Sequence, residues 1–331
     1  MFSVIVPVYR NAEFVPALIA EFGGVSAAVA ERHGMPVEFV FVVDASPDDS
    51  FELLRTALAQ APFRSQLLLH ARNFGAFAAI RTGLRAACGD YFAVISADLQ
   101  EPPELLLGFL GELADDRADI AVGVRRSRED PGPSRLAAGV FWSFYRRFVV
   151  RDIPRGGVDV FGCNRRIRDE LLRLEEANSS LVGLVYWLGF RRSEVPFERR
   201  ARAFGKSTWT FRKKLDYLLD SVFAFTDLPI RIITVLGALG FAFAAFLAVF
   251  VVVMRLTGQI AAAGYTTTIL VITFFGALNT LGLGFLGSYV WRSYENTKKR
   301  PLALVRSALS FDGASEAPGE LSDLLHSGRR P

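Results

Sequence analysis

Two long stretches without a formal charge constrain this chain most. Ile232–Met254 runs for about 23 residues and Tyr265–Val290 for about 26 without Asp, Glu, Lys or Arg, against the roughly 20 that a helix needs to cross a bilayer. A pair of buried core helices is the weaker alternative, because ordinary core helices are shorter and carry a polar face. The rest of the composition agrees: 51% of the residues are hydrophobic and the mean hydropathy is positive.

Flanking charge sets the expected topology. Arg191, Arg192, Arg199, Arg200, Arg202, Lys206, Arg212, Lys213, Lys214 and Arg231 precede the first run, and Arg292, Lys298, Lys299, Arg300 and Arg306 follow the second. The intervening 255–264 holds only Arg255. Both termini are therefore expected on the cytoplasmic side, joined by a hairpin. The N-terminus opens directly on a strand-like run, Phe2–Val6, with no basic n-region or cleavage site, so no signal peptide is expected. Cys88 and Cys163 are too few and too scattered for a disulfide framework or a zinc site. The net charge of +4 admits nucleic acid as a partner in principle. The basic residues crowd against the apolar runs, however, which favours anionic lipid and argues against nucleic acid.

Upstream, strand-like and helix-like segments alternate. Phe2–Val8, Val37–Val43, Gln66–His70, Tyr91–Ile95 and Ile120–Val124 read as buried strands. Helices are expected over 13–31, about 50–60, about 76–87 and from Pro103 onward. Alternation over about 125 residues implies a mostly parallel, doubly wound α/β sheet. No GxGxxG follows the first strand and no GxxxxGK[ST] occurs, which disfavours a dinucleotide site and a P-loop. Residues 134–150 and 209–228 mix aromatic and basic residues and read as interfacial helices. Residues 310–331, rich in Ser, Gly, Glu and Pro, read as a disordered tail. The expected organisation is a cytoplasmic catalytic domain over 1–208, a juxtamembrane amphipathic helix over 209–229, a transmembrane hairpin over 230–292 (spans 232–254 and 265–290), and a cytoplasmic tail over 293–331.

One segment carries chemistry. In YFAVISADLQEPPELL (91–106), an apolar strand ends at Ser96-Ala97-Asp98-Leu99-Gln100, and Glu101-Pro102-Pro103 opens a helix, since Pro is tolerated in the first turn. Open α/β sheets bind ligands at such carboxyl ends. Oxygen ligands there suit a hard divalent cation shared with phosphates.

VPVYRNAE (6–13), VVDASPDDS (42–50), RNFG (72–75), ADLQEPPE (97–104), GVRRSRED (123–130), the DVFGC region (159–163) and RAFGKS (202–207) occur in an order that resembles family-2 glycosyltransferases. With the two C-terminal apolar runs, the chain is similar to the polyprenyl-phosphate branch of that family. The resemblance covers about residues 2–305. It implies a GT-A fold, a UDP- or GDP-sugar donor, Mg²⁺ or Mn²⁺, and a polyprenyl (undecaprenyl) phosphate acceptor. The expected setting is the cytoplasmic face of a bacterial inner membrane, where the product would serve envelope glycan or lipid modification. Relatives also imply a membrane homo-oligomer. Processive polysaccharide synthesis is disfavoured by the two spans and the missing QxxRW.

Carried onto this sequence, the resemblance assigns the nucleotide-sugar to Pro7, Tyr9, Glu13, Asp44, Arg72 and Ala97. Asp44 would accept a hydrogen bond from a base N–H. Asp98 and Gln100 would hold the metal, Asp98 would serve catalysis by neutralising the leaving diphosphate, and Asp159 would orient acceptor or sugar. The acceptor phosphate falls to Arg125, Arg126, Arg128, Arg200, Arg202, Lys206 and Ser207. Arg suits this because it pairs phosphate oxygens in bidentate fashion. That acceptor is already an anion at neutral pH, so its positioning matters more than a strong base. Two departures stand out. Val43 and Ser96 occupy positions where the family usually has Asp, and a neutral Ser96 is a weaker cation ligand than a carboxylate. They leave two further readings open: a catalytically degenerate, membrane-anchored binder of nucleotide or lipid phosphate, and a transferase with another lipid acceptor.

Overall fold

The structure, a computed structural model, describes residues 1–126, 143, 146, 147, 153, 154, 158, 160–176, 179–200, 219–226, 228–257, 264–313, 319 and 320. The chain divides into two compact units, 1–214 with 300–331, and 215–299.

The first unit is built on a nine-stranded sheet of order β7-β5-β6-β4-β1-β2-β3-β8-β9. The strands are β1 (Phe2–Val8), β2 (Val37–Val43), β3 (Arg64–His70), β4 (Tyr91–Val94), β5 (Ile120–Arg125), β6 (Phe161–Asn164), β7 (Arg192–Phe197), β8 (Val305–Phe311) and β9 (Gly319–Glu320). β1 pairs in parallel with β2 and β4, β2 with β3, and β5 with β7. β6 lies antiparallel between β4 and β5, so β1–β5 and β7 all point the same way. Helices α1 (Val15–His33), α2 (Ser50–Leu58), α3 (Ala76–Ala86), α4 (Glu104–Ala114), α5 (Arg165–Arg173) and α6 (Leu181–Trp187) complete the unit.

Both sheet faces are covered, which is why the central strands are apolar almost without interruption. On one face Phe22 of α1 stacks on Phe39 of β2 (centroids 4.6 Å apart), and Phe63 packs 4.6 Å from the same ring. On the other face α3 approaches so closely that a Cβ on Gly83 would lie 2.5 Å from Ile5 Cγ2. The stretch Ala12–His33 is long and apolar enough to cross a membrane, yet Leu18, Phe22 and Val29 are buried in this core.

The second unit holds α7 (Leu228–Leu256) and α8 (Tyr265–Thr297). At 1.5 Å rise per residue they are roughly 44 and 50 Å long. They touch where a Cβ on Gly240 would sit 3.1 Å from Phe275. Phe223 packs edge-on against Tyr289 (5.2 Å), and Arg292 pairs with Asp220 (2.6 Å) while its guanidinium lies over Phe223. Their outer faces are apolar and open: Phe241 is 77% and Leu256 83% exposed.

Three elements differ from the sequence reading. Residues 305–311 are not tail: β8 pairs antiparallel with β3 from Ser65↔Phe311 to His70↔Val305, so the sheet reclaims the chain after α8. β6 and β7 were not anticipated. The first is four residues long, and the second is a charged edge strand that tolerates Pro196 because it has one unpaired side. Most of 134–150, residues 209–218 and most of the tail beyond 313 lie outside the described residues, while 219–225 of the second expected interfacial helix are helical.

Candidate functional site

The strand order turns back between β1 and β4, since β2 and β3 lie to one side of β1 and β4 to the other. Ligands of open α/β sheets bind at the carboxyl ends beside such a point. Three non-glycine residues with left-handed backbone sit just past those ends: Arg10 (φ 58°) after β1, Ala45 (φ 46°) after β2 and Leu99 (φ 53°) after β4. Such conformations cost free energy and persist only where neighbouring contacts enforce them.

Asp48 enforces the first two. Its Oδ1 accepts from the hydroxyls of Ser46 (2.6 Å) and Ser50 (2.7 Å), and its Oδ2 from the Ala12 N–H (3.1 Å). Ser46 Oγ in turn accepts the Arg10 N–H at 2.7 Å, and Ser50 Oγ the Asn11 N–H at 3.2 Å. The loops after β1 and β2 are thus stitched into one wall. Burial raises the Asp48 pKa, but the two hydroxyls and the Ala12 and Ser50 N–H groups outweigh it and hold the carboxyl below its usual range.

Asp44, 3% exposed at the end of β2, braces the next loop. Oδ1 accepts from His70 Nδ1 (2.8 Å) and the Phe74 N–H (2.8 Å), and Oδ2 from the Gly75 N–H (2.7 Å). Gly75 sits at φ 94°, a conformation that favours glycine. Burial pushes the Asp44 pKa up, but the His70 bond, the two N–H bonds and the His70 charge pull it further down. Asp44 is therefore an ionised acceptor with one Oδ2 lone pair direction left. Arg72 folds its guanidinium 4.0 Å over the Phe74 ring.

At the end of β4, Ser96 Oγ donates to Asp98 Oδ1 at 2.8 Å and also contacts Glu101 Oε2. Asp98 is 8% and Glu101 2% exposed. Burial raises the Glu101 pKa. The Ser96 bond and the Arg199 and Arg125 charges oppose this and the Asp98 charge reinforces it, so the carboxyl stays above its usual range. Two carboxylates and a hydroxyl thus converge beside the Arg199 and Arg125 charges, and such oxygen donors are the chemistry of a hard divalent cation. The Gln100 N–H also donates to Asp98 Oδ1 at 3.3 Å, whereas its side-chain Oε1 accepts from Arg199 and its carbonyl from the Arg200 N–H.

Pro7 is the β1 residue paired with Val42, and Tyr9 lies at the wall with Arg10 over its ring at 5.6 Å. Ala97 is buried and Glu13 exposed in the turn before α1. Arg125 ends β5, and the Arg126 N–H donates to Phe197 O at 2.9 Å. These residues share one sheet edge. Arg200 is engaged elsewhere, with Nη1 3.0 Å from each Glu21 carboxylate oxygen and Nη2 3.5 Å from Glu104. Arg128, Asp159, Arg202, Lys206 and Ser207 lie outside the described residues. Sequence reasoning passed over His70, Asp48 and Glu101. Glu101 had a signal in its motif, three residues after Asp98, whereas His70 had only its place at a strand end.

A family model described as "Glycosyl transferase family 2" matches residues 3–174. The chain is 30% identical over 313 residues to the uncharacterized glycosyltransferase YkcC of Bacillus subtilis, covering 94% of this chain and 95% of that one. It is 31% identical over 320 residues to the undecaprenyl-phosphate 4-deoxy-4-formamido-L-arabinose transferase of Salmonella paratyphi A, covering 95% of each. Among solved structures, the mannosyltransferase PcManGT of Pyrobaculum calidifontis, in complex with GDP-Man and Mn²⁺, superposes with a TM-score of 0.47 at 17% identity over 88% of this chain and 84% of that one.

Proposed function

The chain belongs to glycosyl transferase family 2, and from that membership and the geometry of its site we propose that it moves a sugar from a UDP- or GDP-sugar to undecaprenyl phosphate, with inversion, at the cytoplasmic face of a bacterial inner membrane. The observation that carries the reading is the sheet edge. Asp44, which would meet the donor base, stands past β2, and the Ser96–Asp98–Glu101 cluster stands past β4, across the switch point on the same carboxyl edge. The acceptor rests on the full-length similarity to a transferase named for undecaprenyl phosphate. The membrane rests on α7 and α8, whose lengths exceed the roughly 30 Å hydrocarbon core and whose large side chains are open.

Asp98, Glu101 and the Ser96 hydroxyl fit a Mg²⁺ or Mn²⁺ ion, which would supply charge neutralisation for the leaving diphosphate. Gln100 would join them by giving up Arg199. The chain's own part is positional. Asp44 takes the base N–H, and Arg72 with Phe74 lines the nucleotide. Arg125 and Arg126 hold the acceptor phosphate with Arg128, Arg202, Lys206 and Ser207. The acceptor oxygen then forms the new bond to the anomeric carbon as the bond to the nucleoside diphosphate breaks. That oxygen is already deprotonated, so no strong base is required.

The test is transfer by the purified full chain in detergent, with undecaprenyl phosphate, Mg²⁺ or Mn²⁺, and a panel of UDP- and GDP-sugars. Labelled lipid from one donor, lost in Asp98→Ala, is the expected result. Nucleotide binding without labelling from any donor would favour the binding-protein reading that Ser96 leaves open.

A further inference from the structure

We propose that His70 is a positioning residue: held between Asp44 and Thr82, it fixes the rotation of the carboxylate that meets the donor base. The inference rests on the assignment of Asp44 to the base. His70 is 1% exposed at the carboxyl end of β3. Its Nδ1 lies 2.8 Å from Asp44 Oδ1 and its Nε2 2.9 Å from Thr82 Oγ1 on α3.

An ionised carboxylate only accepts, so Nδ1 carries the proton, and the Thr82 hydroxyl can turn to serve Nε2 in either charge state. Both ring nitrogens are satisfied, as a buried imidazole requires. The ring also supports the neighbouring wall, because Phe74 meets it edge-on at 5.5 Å and Phe74 itself carries the Arg72 guanidinium over its ring. The backbone is held separately: β8 pairs at His70↔Val305, and the Ala71 N–H donates to Leu304 O at 2.9 Å.

The Phe74 and Gly75 bonds to Asp44 come from the loop's own backbone and do not run through the imidazole. What the imidazole adds is a third donor from a different strand, which stops the carboxylate from swinging with the loop. Removing it should therefore loosen base recognition and leave the transfer step intact.

The experiment measures UDP and GDP binding by calorimetry on the full chain in detergent, together with transfer kinetics. The variants are His70→Leu, His70→Asn, Thr82→Val and Asp44→Asn. His70→Leu should weaken the preferred nucleotide roughly tenfold, the scale of one hydrogen bond to a charged group. It should raise KM for the donor and leave kcat at saturation unchanged. His70→Asn, whose amide nitrogen stands in for Nδ1, should recover to within about threefold. Equal weakening in the Leu and Asn variants, or a fall in kcat at constant KM, overturns the proposal. If His70→Leu does not fold, Thr82→Val decides: several-fold weaker binding supports the proposal, and wild-type binding overturns it. If Asp44→Asn binds as tightly as wild type, the base assignment itself falls. If Asp44→Asn is weakened and the His70 and Thr82 variants are not, only the role of His70 falls.

Discussion

Ser96→Asp puts a charge where the structure has least room for one. The Ser96 hydroxyl now donates to Asp98 and contacts Glu101. An aspartate there removes that donor and brings a third carboxylate to about 4 Å from each of the other two, where one like-charge pair is worth ~4 kcal/mol at an effective dielectric near 20. The full sum is not realised, because Glu101 already holds its proton above the usual range and can take it up further. The net destabilisation of metal-free protein at neutral pH is about 2–4 kcal/mol. A divalent cation collects the same interaction with the opposite sign, so Mn²⁺ should bind on the order of a hundredfold more tightly. The assay has two arms: the unfolding midpoint in detergent with EDTA, and Mn²⁺ affinity by EPR in the presence of UDP. The midpoint should fall in EDTA and recover with Mn²⁺, and adding Glu101→Gln should restore metal-free stability. An unchanged midpoint in EDTA with unchanged Mn²⁺ affinity would refute the reasoning, since it would mean that these carboxylates do not share one site.

Asp48→Asn should remove about 1 kcal/mol of stability at pH 7 after solvent screening. The folded pKa of Asp48 lies below 3.8, so its contribution is complete above about that value and is lost as pH falls through the folded pKa. The variant and wild type should therefore converge in acid, and an equal gap in unfolding midpoint at pH 7 and in strong acid would count against the stitch. Truncation after Lys299 removes β8, with the buried Ala308 and Phe311, and leaves β3 an open edge. It should yield aggregated protein on size exclusion, and a monodisperse product that still binds nucleotide would contradict this. Gly83→Ala should destabilise by roughly 1–3 kcal/mol through overpacking against Ile5. Ile5→Ala, which deletes the clashing Cγ2, should cost less in the Gly83→Ala background than in wild type, as a double-mutant cycle on the unfolding midpoint would show.

The parallel strands were legible because burial on both faces leaves uninterrupted apolar runs such as Val37–Val43, and because Pro, Asp and Ser mark where they stop. β8 was not legible, because VRSALSF alternates weakly and becomes a strand only by pairing with β3 far earlier in the chain. A tail reading follows from composition alone. β7 hid for a related reason: its charges and Pro196 suit an edge, and a sequence does not announce where a sheet ends.

The same limit applies inside the site. Asp44 could be picked from its place at a strand end, but what it does there depends on donors from β3 and the following turn, 26 to 31 positions away in sequence. Ser96 could be read as a missing charge, since that is a property of one position. That Glu101 stands beside it cannot be read so. Leu99, at φ 53°, turns the chain through a conformation that L-residues avoid, and beyond that turn Glu101 lies back against the Ser96 hydroxyl. Counting carboxylates along the motif therefore undercounts the charge at this edge. The cluster's second carboxylate is supplied by Glu101, in the turn before α4, and not by position 96.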